Sequence, residues 1–126
     1  MIIEDDPLLS IVEEKMVEKL GYKVVGKAQS GEEALSKIRD LSPDILIVDI
    51  QLAGTLNGIQ TVQKLQESNI NVPIIFLSGD KSSTVLNYAR TVDYVDFLLK
   101  PVSTAELSVP LKKATELVAT LSQNAA

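Results

Sequence analysis

Five side chains in this 126-residue sequence could do chemistry together: the acidic pair Glu4 and Asp5, the aspartate Asp49, the hydroxyl of Ser78 and the ammonium of Lys100. Each of them follows a run of apolar residues. Three carboxylates drawn within a few ångströms repel one another, and such a cluster is relieved by raising a pKa or by binding a cation. An all-oxygen site with three negative charges suits Mg²⁺, which keeps several waters and takes one or two carboxylates directly. Lys100 would add a mobile positive charge and Ser78 a hydroxyl donor. An oxygen nucleophile, a divalent metal, and cationic and hydroxyl groups for the remaining phosphate oxygens are what phosphoryl transfer requires. Taken singly, each residue has a plainer reading: acids before a helix cap its dipole, and an aspartate at a strand end caps a turn. Their joint placement at the ends of four apolar runs carries the inference.

Composition removes other chemistries. The chain has no cysteine and no histidine, so disulfides, thiolate zinc sites, cysteine nucleophiles and histidine bases are excluded. Its net charge of −5, from 12 basic and 17 acidic residues, argues against nucleic-acid binding through this segment, which needs a clustered basic face. No apolar run reaches membrane-spanning length and the first residues do not form a secretory signal, so a cytoplasmic location is expected.

The elements that must position these residues alternate short β-branched runs with helical periods. Ile2 and Ile3 begin a strand that stops at Glu4-Asp5-Asp6. Pro7 suits a first helical turn, Leu8, Leu9, Val12, Met16 and Leu20 follow at helical spacing, and Gly21 is placed to end that helix. Residues 23–28 read as a second strand. Ser30 with Glu33 matches a capping box and opens a helix bearing Ala34, Leu35 and Ile38. Residues 44–49 and 73–78 have continuously apolar middles, as strands buried on both faces of a parallel sheet do. Between them Asn57 caps a third helix with Ile59, Val62 and Leu65. A weaker helix over 81–91, a fifth strand over 95–99 and a last helix over 104–121 complete the chain; Pro110 should bend that helix or delay its start. Five strands alternating with five helices predict one α/β domain over residues 1–126, with a parallel sheet between helical layers. Such sheets bind ligands beyond the carboxyl ends of their strands, where all five side chains would meet.

In order and spacing, Ile-Ile-Glu-Asp-Asp-Pro, Pro-Asp-Ile-Leu-Ile-Val-Asp-Ile, Asn-Gly-Ile, Pro-Ile-Ile-Phe-Leu-Ser-Gly and Phe-Leu-Leu-Lys-Pro resemble the response-regulator receiver domain, the CheY-like family of two-component signalling. The resemblance spans essentially the whole chain. It implies a doubly wound (βα)5 flavodoxin-like fold with strand order 2-1-3-4-5. It implies that Asp49 accepts a phosphoryl group from a phosphohistidine on a histidine kinase or phosphotransfer protein. Mg²⁺, with Mn²⁺ as a substitute, would be held by Asp5, Asp49 and the backbone carbonyl of Gln51, with Glu4 acting partly through water; Asp6 belongs to the helix start. Ser78 would hydrogen-bond the phosphoryl group, Lys100 would pair with it, and the Lys100-Pro101 bond would be cis. Ser78 and Phe97 would form the switch, reshaping a face of the fourth helix, fifth strand and fifth helix for an output partner. Gln51 and Asp80 would tune the lifetime of the phosphoryl group. The chain would act as a switch that catalyses its own phosphorylation and dephosphorylation, as a monomer or weak dimer, either alone or as part of a longer regulator or hybrid kinase.

There are departures from the family pattern. Ala53 stands where proline is frequent, and the loop Gly54-Thr55-Leu56-Asn57-Gly58 is one residue longer than the commonest form, resembling receivers attached to sensor kinases. Asp93-Tyr94 replaces a usual Gly-Ala pair, which makes Tyr94 and Asp96 candidates for partner contact. Phe97 lacks the hydroxyl of the more familiar tyrosine. Other functions fit less well. A phosphatase of the haloacid-dehalogenase type needs a second acid where Gln51 stands and a cap this length cannot supply. A pseudo-receiver would lack key positions that are all filled here, and a flavodoxin-like cofactor binder needs a phosphate-cradling loop after the first strand.

Overall fold

The computed structural model describes residues 1–124, which run β1 (Ile2–Ile3), α1 (Pro7–Lys19), β2 (Lys27–Ala28), α2 (Gly31–Leu41), β3 (Leu46–Asp49), α3 (Gly58–Glu67), β4 (Ile74–Ser78), α4 (Ser83–Ala89), β5 (Asp96–Leu99) and α5 (Thr104–Asn124). Every strand pair is parallel and the order is β2-β1-β3-β4-β5, the doubly wound arrangement expected from the sequence. The apolar runs are continuous because β3 and β4 are covered on both faces. Leu46, Val48, Ile74 and Phe76 enter one cluster with Ile3, Ile59, Val62 and Leu65, while Ile47, Ile75 and Leu77 enter another with Ile2, Val17, Leu107 and Leu111.

Several boundaries differ from expectation. The run at 23–28 is paired only at Lys27–Ala28, because its one neighbour, β1, offers two residues. The third strand starts at Leu46, the fifth at Asp96, and the fourth helix covers only Ser83–Ala89 behind its cap Ser82. The α5 helix begins at Thr104, as read from the sequence, so of the two effects expected of Pro110 a delayed start does not occur. Ser103 and Glu106 satisfy each other's amides at 3.1 Å, and this reciprocal cap fixes the start nearly two turns before the proline. At α2 the expected box is only half made: Ser30 accepts from the Glu33 amide, but the Glu33 carboxylate takes the amide of Gln29 instead of that of Ser30.

In α1 the apolar series marks the buried face only in part: Met16 and Leu20 pack against the second cluster, but the first turns do not. Ser10, Glu13 and Val17 point inward, whereas Leu8 is 74% and Val12 49% exposed. The helix is phased by its ends. Asp6 caps the amides of Leu8 and Leu9, and Gly21, at φ +94°, closes a Schellman turn in which Tyr22 donates to Val17 and Gly21 to Glu18. Tyr94 and Asp96, candidates for partner contact, are both half-buried: the Tyr94 ring tilts against Phe76 at 5.5 Å, and Asp96 accepts the amide of Phe97.

Gly58 lets α3 start directly against β3. Its amide donates to the Ile50 carbonyl at 2.9 Å, and a Cβ there would meet the Asp49 carbonyl oxygen and lie 2.9 Å from Ile50 Cα. Backbone cannot yield as a side chain can, so Gly58→Ala should cost about 1–3 kcal/mol in urea unfolding, with α3 displaced from the end of β3.

Candidate functional site

Parallel pairing brings the carboxyl ends of β1, β3, β4 and β5 to one edge of the sheet, and with them Glu4, Asp49, Ser78 and Lys100. Glu4 and Asp49 are almost fully buried, while Asp5 is half-buried at the mouth. Oxygen atoms of all three carboxylates lie within 4.8 Å of one another. The Lys100 ammonium bridges two of them, 2.8 Å from Glu4 Oε1 and 3.0 Å from Asp49 Oδ2, and the Lys100-Pro101 peptide bond is cis. Asp5 accepts the Ala53 amide and Asp49 accepts the Gln51 amide, both at 3.2 Å, so the loop after β3 is folded over the cluster.

Two of the other expected residues reach this edge through Ser78, which accepts the Asp80 amide at 3.0 Å. Its hydroxyl has two acceptors for one proton, the Asp80 carbonyl at 2.9 Å and Gln51 Oε1 at 3.1 Å. The Asp80 carboxylate itself turns away to accept the Ser82 amide at 2.8 Å. Phe97 lies outside the cluster, in the apolar core, where it pairs with Phe76 across β4 and β5.

The electrostatics are those of a cluster short of positive charge. Burial, and then the neighbouring Glu4, push the Asp49 carboxyl up to about 7, with Lys100 pulling the other way. Burial would also raise Glu4, but hydrogen bonds with Glu13, Lys100 and Asp49 outweigh it and hold Glu4 well below the usual carboxylate range. Lys100 is raised despite burial by its two carboxylates. One ammonium against three clustered carboxylates leaves a donor set that fits a hard divalent cation such as Mg²⁺.

Sequence reading missed Glu13. It is buried beside Glu4, its Oε1 has no hydrogen-bond partner, and burial followed by Glu4 pushes its carboxyl up to about 9. The signal was faint: Ser10, Glu13 and Val17 share the inward helical phase, but only Val17 is apolar.

The profile of the family described as "Response regulator receiver domain" matches residues 1–112. Among curated relatives, the "Probable C4-dicarboxylate response regulator DctR" of Halalkalibacterium halodurans is 30% identical over 93% of this chain and 51% of its own length. This chain therefore spans about half of that relative. The "Chemotaxis protein CheY" of Thermotoga maritima is 28% identical over 92% of this chain and 96% of that protein. Among solved structures, the signal receiver domain of a modulated diguanylate cyclase from Desulfovibrio desulfuricans superposes with a TM-score of 0.85, at 34% identity and 94% coverage of both chains. No helix among the described residues is long and apolar enough to cross a membrane.

Because the folded-state pKa of Glu13 lies above its unfolded value, the folded chain holds an extra proton there between about pH 4.5 and about pH 9. That stabilising contribution is present below this window and is lost as pH rises through it. In metal-free buffer, Glu13→Gln should therefore gain about 1–3 kcal/mol on wild type between pH 5 and pH 9. Urea unfolding at pH 5, 7 and 9 checks this, and a difference independent of pH would contradict it.

Proposed function

The chain belongs to the response regulator receiver family, and on that footing we propose that it is the phospho-accepting switch of a two-component phosphorelay, with Asp49 taking a phosphoryl group from a phosphohistidine. The observation that carries this reading is the buried Asp49 carboxylate, 3.0 Å from the Lys100 ammonium and in reach of Glu4 and Asp5. An oxygen of Asp49 attacks the phosphorus, the new O–P bond forms as the P–N bond breaks, and the departing imidazole nitrogen takes a proton from solvent. Asp5, Asp49 and the Gln51 carbonyl, with Glu4 through water, would hold Mg²⁺, and the bound ion would neutralise the phosphoryl oxygens.

The chain's own groups do the rest. Asp49 must be ionised to attack, which its crowded surroundings disfavour until the positive charge around it increases. Lys100 holds Glu4 with one contact and Asp49 with the other, so it can give up the second to a phosphoryl oxygen while staying anchored. Ser78 exchanges one of its two present acceptors for the same group. Phe97, two residues before the partner of Ser78 on β5, is the ring through which that movement reaches the α4–β5–α5 face, where Tyr88, Leu99 and Val109 are exposed for an output partner. Gln51, through its amide on Ser78, and Asp80, through its backbone, are placed to tune the lifetime of the phosphoryl group. The exposed apolar residues Leu8, Ile11 and Val12 on α1 offer a phosphodonor a surface next to the site. Residues 1–126 act as one receiver unit in the cytoplasm, and its downstream readout is set by whatever this unit is coupled to.

Beryllofluoride, a phosphoryl mimic, should bind only with Mg²⁺, and Asp49→Asn should abolish it; fluorine NMR on both proteins decides, and unchanged binding in the variant would refute the assignment. Ile11→Asp should slow phosphorylation by a protein phosphodonor about tenfold while leaving acetyl phosphate labelling within about twofold, since it removes apolar contact area and touches no reacting group.

A further inference from the structure

The loop between β3 and α3 carries Gln51 and Ala53 to the acidic cluster, and it is tied down from the far side by one residue of α2. Glu32 Oε1 accepts the Thr55 hydroxyl at 2.7 Å and the Leu56 amide at 2.8 Å. Its second oxygen faces Gly54, where a Cβ would come within 2.8 Å of it, and Gly54 adopts a φ of +99° that glycine tolerates and other residues resist. An isolated bridge joins Ser30 to Ala53, the residue whose amide reaches Asp5. The platform itself is firm: Gly31 is buried, and a Cβ on it would stand 3.0 Å from Leu56 Cβ. Between Asp49 and Gly58, then, the chain is fastened at one end to the carboxylates and in its middle to α2.

We propose that Glu32 is a positioning residue for the candidate site: by accepting from Thr55 and Leu56 it holds the loop of residues 51–56 closed over the carboxylates, so that the Gln51 and Ala53 backbone is set before a cation or phosphoryl group arrives. An exposed carboxylate making two short hydrogen bonds to a single loop is well suited to this, because it orders backbone that would otherwise lose conformational freedom on binding. Nothing in the core depends on it, so it acts on the loop without acting on global stability. The inference rests on the reading of this edge as a Mg²⁺-dependent phospho-acceptor site.

The test compares wild type, Glu32→Ala, Glu32→Gln and Thr55→Val by amide NMR. Without metal, exchange of the Leu56 amide should rise about tenfold in Glu32→Ala and stay within about twofold in Glu32→Gln, which keeps an acceptor. A Mg²⁺ titration followed at the Ala53 and Gln51 amides should show affinity weakened about three- to tenfold in Glu32→Ala, less in Thr55→Val, and restored in Glu32→Gln. Melting temperatures should agree within about 2 °C, as for other surface substitutions. The proposal is overturned if Glu32→Ala leaves Leu56 exchange or Mg²⁺ affinity at the wild-type value, or if Glu32→Gln is as impaired as Glu32→Ala. Failure of wild type to bind Mg²⁺ would instead remove the function proposed for the site, while Leu56 exchange would still decide whether the tie exists.

Discussion

Lys100 stands between two buried carboxylates, and the arrangement of the whole edge follows from that contact. Glu4 and Asp49 are nearly inaccessible to water, and two such charges side by side would be costly without a cation. The ammonium joins them at 2.8 and 3.0 Å across strands that are distant in sequence. It thereby links the end of β1 to the end of β3 from a residue just after β5. The arrangement is underneutralised, and this is what makes it responsive. Burial and the neighbouring Glu4 raise the Asp49 carboxyl above the usual carboxylate range, so added positive charge nearby favours its ionised form.

Apolar packing keeps these charges in register. The alternate side chains of β3 and β4 fill two separate clusters, and a slip by one residue would exchange the two sets and remove Asp49 from the edge. Gly58 adds a second constraint, since α3 lies directly on the backbone that follows Asp49. The site therefore sits at the end of strands buried along their whole length, while Ser78's hydroxyl and the loop over the carboxylates are held by a few hydrogen bonds each.

Most of this architecture was readable from the sequence, and for physical reasons. Continuous apolar runs at 44–49 and 73–78 have few other uses than doubly covered strands, and the acids and hydroxyl that end them mark the polar edge. Capping residues gave good helix starts at Ser30 and Asn57. Reading failed where a tertiary partner decides. The extent of β2 depends on how much of β1 lies beside it. The inward face of α1 depends on how the helix docks, and the periodicity of its apolar residues matched that face at Met16 and Leu20 but not at Leu8, Leu9 and Val12. Glu13 was invisible for the same reason: a glutamate in a helix is ordinarily solvated, and only the docking of α1 on β1 reveals that this one is not. Tyr94 looked like a surface ring until Phe76 was seen beneath it.

The apolar residues that the first turns of α1 expose have a consequence for its own anchoring. A helix whose fully buried side chains are a serine, an acid and one valine, with Met16 and Leu20 half-buried beside them and Leu8, Ile11 and Val12 turned to solvent, draws less from the hydrophobic effect than its composition allows. Its hold on the sheet comes from Val17 with Met16 and Leu20 beside it, toward its C-terminal end. The half of the helix next to Glu4 and Asp5 has the least apolar packing, and would open more readily than β3 or β4. Because α1 follows Glu4 and Asp5 directly, each opening would loosen the acidic pair, and anything that covered its outer face would tighten it.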